Sequence, residues 1–279
     1  MLPHIAQNID EQVKKDLPLH FAVIAIAHKN PRNDQCGGSI VPDIAELGFL
    51  YHLKEIIEGI QLFYPPGATF TILTEGGFYR RGGIFDVEAE VIKNYESHIS
   101  YLAGVIGESN IKLFSLEEIV GRCPNFEDIF LQIRASLNYQ EFAPYFSVMQ
   151  RSITEKQENA GITPEEMAKS YVALHRAKHA ASSVGRSLIY EYLEEVLGPN
   201  FIYCSVTGSN RLEVLNIDIF NKPSILPQHG IGVLQGGTSK IVVTPFSELQ
   251  LVADEMNLGA IICQDMGPLP FGAINFGGK

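Results

Sequence analysis

Positive charge is in short supply in this chain. Its 21 lysines and arginines face 32 aspartates and glutamates, leaving a formal charge of −11. Duplex nucleic acids are held largely by cations that neutralise phosphates, so this balance argues against nucleic acid as a partner. It leaves room for an anionic small molecule held by a local group of arginines and lysines. Cysteine is sparse too: Cys36, Cys123, Cys204 and Cys263 stand far apart, with no CxxC pair. Zinc sites and disulfide frameworks lack their usual spacing here, so buried or idle thiols in a reducing cytosol are expected. Long apolar runs are missing. Phe21–Ala27 is far too short to span a bilayer, and Met1–Pro18 lacks the apolar core of a secretory leader. The expectation is a cytoplasmic protein with no membrane partner. GxSxG and HExxH are absent as well, which removes support for serine-hydrolase and zincin chemistry.

What remains is ordinary globular composition, 46% hydrophobic and 19% charged, with 279 residues to bury a sizeable core. The most informative stretch is Tyr64 to Asp86. It opens on a turn at Pro65-Pro66-Gly67, runs through an apolar β-branched strand and breaks at Glu75-Gly76-Gly77. Two aromatics and two arginines follow, and Asp86 is expected to start a helix. Open α/β sheets build ligand sites this way, at the carboxyl ends of their strands.

Elsewhere the pattern alternates. His20–Ala27 reads as a first strand buried on both faces, and a helix begins at Asp43, with Glu46 three residues on as a capping box. Thr69–Thr74 is the second strand, and Val87, Val91, Tyr95, Ile99 and Leu102 form one face of the next helix. Ile111–Phe114 is a third strand, before an acidic helix start at Ser115–Glu118. This alternation predicts βαβ units and a parallel sheet. Residues 124–160 read as helical in pieces. A helix starting at Thr163-Pro164 persists to Leu197, with a break near Gly185. Strands return at Phe201–Val206, Leu212–Phe220, Ile241–Thr244 and Ala260–Cys263, with a helix at Phe246–Met256. One α/β domain over 1–279 is expected, its mainly parallel sheet flanked by helices and carrying a helical insertion over 124–198. Neither an internal repeat nor a low-complexity linker interrupts it.

Several positions invite a chemical reading. Lys29 and Arg32 follow the first strand, where ligands collect in parallel sheets. Asp43 and Glu46 cap their helix, and capping leaves them free to face the same crevice. Glu75, an acid followed by two glycines after a buried strand, has no evident packing purpose and reads as a ligand contact. Arg80 and Arg81 are expected to divide, one toward the site and one toward water. His175 and His179 stand at i,i+4, but Arg176 and Lys178 beside them make a solvated basic face the preferred reading over a metal. Gly230–Lys240 matches neither the Walker spacing nor GxGxxG, and its glycines suit a hairpin better than a phosphate.

Taken in order, these residues resemble a known family. Lys29, Pro42-Asp43-x-x-Glu46-Leu47, Tyr64-Pro-Pro-Gly-Ala-x-Phe-x-Ile-x-Thr-Glu75-Gly76, Phe85-Asp86 and Tyr95 resemble the pyoverdine/dityrosine biosynthesis family, as do Asn210-Arg211-Leu212, Lys222 and Thr244-Pro245-Phe246. The resemblance implies a Rossmann-like fold and isonitrile synthase chemistry. In that reaction an amino-acid α-amine condenses with the ketone of ribulose 5-phosphate, and fragmentation leaves one sugar carbon on nitrogen. It implies no metal and no nucleotide cofactor. Lys29, Asp43, Glu46 and Glu75 are the catalytic candidates, expected to meet in one crevice beyond the first two strands. Arg32, Arg81, Arg211 and Lys240 are the cations for phosphate and carboxylate. Phe78, Tyr79 and Phe246 would wall an aromatic pocket. The partners expected are small molecules, an amino acid and a sugar phosphate, with a homodimer left open. Three departures mark the chain. Thr74-Glu75-Gly76 replaces the family's Ser-Asp-Gly; Arg211-Leu212-Glu213-Val214-Leu215 lacks the serine and histidine that follow the family arginine; Phe246-Ser247 replaces Trp-His. An unrelated sugar-phosphate-binding α/β enzyme and a catalytically idle binding or regulatory relative are the alternatives.

Overall fold

A computed structural model of the chain describes residues 3–25, 42–180, 188–205, 215–216, 231–234, 241–244, 258–263 and 273–278. Contacts divide it into two units. The first comprises Met1–Leu73, Lys93–Leu113 and Asn200–Lys279, and the second Thr74–Ile92 and Phe114–Pro199.

The first unit is built on a five-stranded sheet. Its strands are β1 (Leu19–Ile24), β2 (Ala68–Thr74), β3 (Ile111–Ser115), β4 (Ile202–Ser205) and β5 (Leu215–Asn216), in the order β3-β2-β1-β4-β5. β1 pairs in parallel with both β2 and β4, and β4 pairs in parallel with β5. This is Rossmann-like α/β topology, with the order reversing between β1 and β4. Apolar residues two apart explain the burial. Phe21, Val23 and Ala25 share a face with Phe70 and Ile72, under the helices α2 (Ile44–Gln61) and α4 (Ala89–Val105). Phe21 stacks on its register partner Phe70 at 4.9 Å between ring centroids. Ala22, Thr71 and Leu73, on the alternate positions, are buried as well, so the sheet is covered on both faces as its continuous apolar runs require. Phe49, Leu50, Leu53 and Ile57 bring the apolar stripe of α2 onto it.

The N-terminal stretch, which reads as mixed polar in sequence, forms a helix, α1 (Pro3–Lys14). Its inner face carries amides as well as Ile5 and Ile9. Asn8 donates to the carbonyl of Phe201 at 2.8 Å. Gln12 donates to the Asn200 carbonyl at 2.7 Å and accepts from the His20 amide at 2.8 Å. Two antiparallel pairs complete the unit: β6 (Ile231–Leu234) with β7 (Ile241–Thr244), and β8 (Leu258–Cys263) with β9 (Ala273–Gly278). The first is the hairpin expected of Gly230–Lys240. β9 carries no strand expectation in sequence, its glycines and short apolar run masking it. The helix expected over Phe246–Met256 lies outside the described residues.

The second unit is helical. After β2 the chain turns into α3 (Gly76–Arg81), and after β3 come α5 (Leu116–Gly121), α6 (Phe126–Ser136), α7 (Tyr139–Phe142), α8 (Phe146–Ser152) and α9 (Glu155–Asn159). Two further helices, α10 (Pro164–Ala177) and α11 (Leu188–Leu197), close the series, and the insertion expected over 124–198 falls within this unit. Thr163 accepts from the Glu166 amide with Pro164 at the first helical position, as its sequence dictates. α10 ends at Ala177, earlier than expected, while the expected break at Gly185 lies outside the described residues. Gly198 ends α11 at φ +82°, a conformation that favours glycine.

Asp86 is a correction. α4 begins at Ala89, and the Asp86 carboxylate instead accepts from Thr154 Oγ1 at 3.0 Å and Lys156 Nζ at 2.7 Å. A partner distant in sequence has taken the group that local chemistry would spend on a cap.

Candidate functional site

In the first unit the candidate carboxylates are Asp43 and Glu46, 3% and 0% exposed. Asp43 is the N-cap of α2 and accepts from the Ala45 amide at 2.7 Å. Glu46 Oε2 accepts from the Asp43 amide at 2.8 Å, completing the capping box. The other Glu46 oxygen accepts from the Tyr95 hydroxyl at 2.6 Å. Tyr95 projects from α4, so this carboxylate ties the two sheet-covering helices together. A cap alone does not call for a wholly buried glutamate; the Tyr95 bond is the additional constraint.

In the second unit a larger cluster forms around Glu75. The expected break is a helix start, with the Glu75 carbonyl accepting from the Tyr79 amide at 3.0 Å. Gly77 lies close against α5: a Cβ there would stand 2.1 Å from a Glu117 carboxylate oxygen and would displace that side chain. Glu75 Oε1 accepts from Lys178 Nζ at 3.0 Å, and the two side chains are 8% and 5% exposed. Lys178 Nζ also lies 5.6 Å from the centroid of the Phe78 ring. Tyr79 shares a 3.0 Å hydrogen bond with His175 Nε2 and stacks on Tyr171 at 5.8 Å.

Titration in this cluster is displaced in a consistent sense. Burial, then the charge of Glu75 and the neighbouring Tyr171, push the Tyr79 phenol well above its ordinary range. Burial and the same carboxylate push Tyr171 up to about 12. Burial, then the charges of Lys178 and His179, hold His175 well below the usual imidazole value. At neutral pH the tyrosines and His175 are therefore uncharged, beside the Glu75–Lys178 ion pair.

The solvated basic face expected around His175 holds for exposed Arg176 and fails for Lys178, which is buried. Tyr171, Leu174, His175 and Lys178 follow i, i+3, i+4, i+7 spacing on and just past α10, which brings Lys178 inside. That spacing is the signal by which Lys178 and Tyr171 could have been found. Among the described residues, no group of three or more His, Cys, Asp or Glu could hold a metal ion.

The other candidates are placed as follows. Phe78 is fully buried, its ring 6.0 Å from Phe126 and 5.9 Å from Tyr79. Arg80 and Arg81 are both exposed; Arg81 pairs with Glu127 at 3.5 Å and lies over the Phe126 ring. Lys29, Arg32, Arg211, Lys240 and Phe246 lie outside the described residues. Cys123 and Cys204 are buried free thiols, Cys204 pushed up by burial. Among the described residues, no helix is long and apolar enough to cross a membrane.

Comparison with known proteins places the chain. The family model described as pyoverdine/dityrosine biosynthesis protein matches residues 9–179, more than half of the sequence. The chain belongs to this family. L-tyrosine isonitrile synthase of Pseudomonas aeruginosa is 30% identical over 118 residues, 42% of this chain and 34% of that protein. The L-tyrosine isonitrile synthase of Xenorhabdus nematophila is 27% identical over 125 residues, 45% of this chain and 36% of its own length. An L-tryptophan isonitrile synthase of Fischerella ambigua is 27% identical over 119 residues, covering 43% and 35%. The matched stretches thus span about a third of these relatives. The crystal structure of the PvcA protein from Pseudomonas aeruginosa superposes with a TM-score of 0.66 at 18% identity, over 98% of this chain and 91% of that one. That likeness supports the family member's α/β fold.

Proposed function

We propose that this family member is an isonitrile synthase-like enzyme, joining an amino-acid α-amine to the ketone carbon of ribulose 5-phosphate. Attack of the amine on the ketone and loss of water link nitrogen to the sugar; rearrangement and fragmentation then leave one carbon on nitrogen. The family match over residues 9–179 carries the reading, together with the relatives named isonitrile synthases. The fold is compatible with it. Ligands of open parallel sheets bind beyond the carboxyl ends of the strands where their order reverses, here between β1 and β4. The segments leaving those two ends carry Lys29 and Arg32 after β1, and Arg211 after β4.

The chemistry needs anion binding and repeated proton transfer. Lys29, Arg32, Arg211 and Lys240 are proposed to hold the phosphate and the amino-acid carboxylate. Glu75 is proposed as the principal proton acceptor, with Asp43, Glu46 and Lys29 assisting. Phe78, Tyr79 and Phe246 are proposed to shape the apolar surroundings. The test is incubation of purified protein with ribulose 5-phosphate and a pool of amino acids, followed by mass detection of an isonitrile. Consumption of sugar phosphate without consumption of any amino acid would point instead to a family member that acts on the sugar phosphate alone.

A further inference from the structure

Lys178 carries no expectation from the sequence beyond a place on a solvated face, yet it is among the most buried charged groups described. Its ammonium and the Glu75 carboxylate are 3.0 Å apart with side chains 5% and 8% exposed. A pair so deeply desolvated adds little net stability, and apolar residues of similar volume often serve the fold as well. Packing therefore gives no sufficient reason for it. Both partners are also fixed through their backbones. The Lys178 amide closes the end of α10 by bonding to the carbonyls of Leu174 and Arg176, and Glu75 opens α3 with its own carbonyl. The backbones that carry the carboxylate and the ammonium are thus anchored at two helix ends.

The surroundings set the polarity of the pair. Tyr79 of α3, Tyr171 and His175 of α10 face it as uncharged groups, and Glu117 of α5 packs on Gly77 beside it. A carboxylate this deeply buried depends on a paired cation to offset the cost of burying its charge.

We infer that Lys178 is a positioning residue for Glu75: its ammonium keeps the carboxylate in one orientation and in the ionised, proton-accepting form. The inference rests on Glu75 acting as a proton acceptor in the proposed reaction. No covalent step is assigned to Lys178, and no proton transfer is routed through it.

The test compares full-length wild type with Lys178→Met and Lys178→Arg. Carbon-13 NMR of glutamate carboxyls, with Glu75→Gln assigning the signal, reads the ionisation of Glu75 without any turnover. At neutral pH the Glu75 signal is expected at the carboxylate position in wild type, at the protonated position in Lys178→Met, and back at carboxylate in Lys178→Arg. Kinetics with the substrates above read the consequence. In Lys178→Met, kcat falls about a hundredfold while KM changes by less than about threefold, the split expected when a transition-state interaction is lost. The acid limb of kcat/KM moves to higher pH, and adding Glu75→Gln to Lys178→Met costs little more than either change alone. The inference is overturned if Lys178→Met leaves the Glu75 signal ionised, or if it raises KM with kcat intact, which would make Lys178 a substrate-binding cation. Should Lys178→Met not fold, Lys178→Gln carries both measurements, with the same outcomes expected. If wild type makes no isonitrile, the proposed function falls by itself and the NMR comparison alone decides the role of Lys178.

Discussion

At the scale of single residues, Glu75 separates chemistry from structure. Replacing it by glutamine removes the proton acceptor at little steric cost and leaves an amide opposite Lys178. Turnover is expected to fall about a hundredfold or more, the usual scale for a general acid–base group. Retained wild-type turnover would demote the ion pair to architecture. His175 makes a different prediction, about pH. Its folded value lies well below the ordinary imidazole value because of burial and then the charges of Lys178 and His179. As pH falls below about 6.5 the unfolded chain takes up a proton that the folded chain refuses, so stability drops with pH. The contribution is whole above that value and is lost on acidification, with a slope of at most about 1.4 kcal/mol per pH unit for one proton. Buried His98, also lowered by desolvation, adds in the same direction. His175→Gln should therefore flatten, without abolishing, the decline of the melting temperature between about pH 6.5 and pH 5. An unchanged slope would show that His175 is charged in the folded protein.

At the scale of elements, the start of α2 shows how one carboxylate can have two duties. Asp43 caps the helix through its side-chain oxygen, and asparagine supplies the same oxygen. Asp43→Asn is thus expected to melt close to wild type, whereas Asp43→Ala loses about 1 kcal/mol, the usual cost of a lost cap. Thermal unfolding of the two variants checks the structural half. If Asp43 also takes part in proton transfer, Asp43→Asn loses turnover while keeping its stability; if it is a cap alone, it keeps both. This element was legible in sequence because capping boxes are local: four consecutive residues carry both halves. Asp86 was misread for the complementary reason. Its partners Thr154 and Lys156 lie some seventy residues away, and a distant ion pair leaves no trace in the local pattern. α1 was missed because its inner face uses Asn8 and Gln12 where a helix pattern looks for apolar residues. Lys178 was legible in principle, through its spacing from Tyr171 and Leu174, but a basic tetrad in sequence reads first as solvated surface.

At the scale of the whole molecule, the parallel sheet could be read from its strands, since buried runs joined by capped helices admit few other arrangements. The placement of β4 on the far side of β1 could not, because that pairing joins residues some 180 positions apart. Yet this placement sets the point where the strand order reverses, and so decides which segments flank a ligand. The segment after β4 contains Arg211, and the run Arg211–Leu215 lacks the serine and the histidine that the resemblance implies after that arginine, while the second family histidine is replaced at Ser247. Family membership and loss of activity are therefore separable claims, and one experiment divides them. Wild-type protein given ribulose 5-phosphate and each proteinogenic amino acid in turn is expected to form a product gaining one carbon on nitrogen. The Glu75→Gln variant, in parallel, should lose it. A wild type that binds ribulose 5-phosphate by calorimetry but forms no isonitrile with any of them would make this chain an idle relative. Restoring histidine at Ser247 and, one position at a time, within 212–215 then asks whether the missing imidazoles are the cause. Turnover gained by those substitutions would assign the loss to proton transfer. Turnover still absent would place the defect in the amino-acid pocket instead.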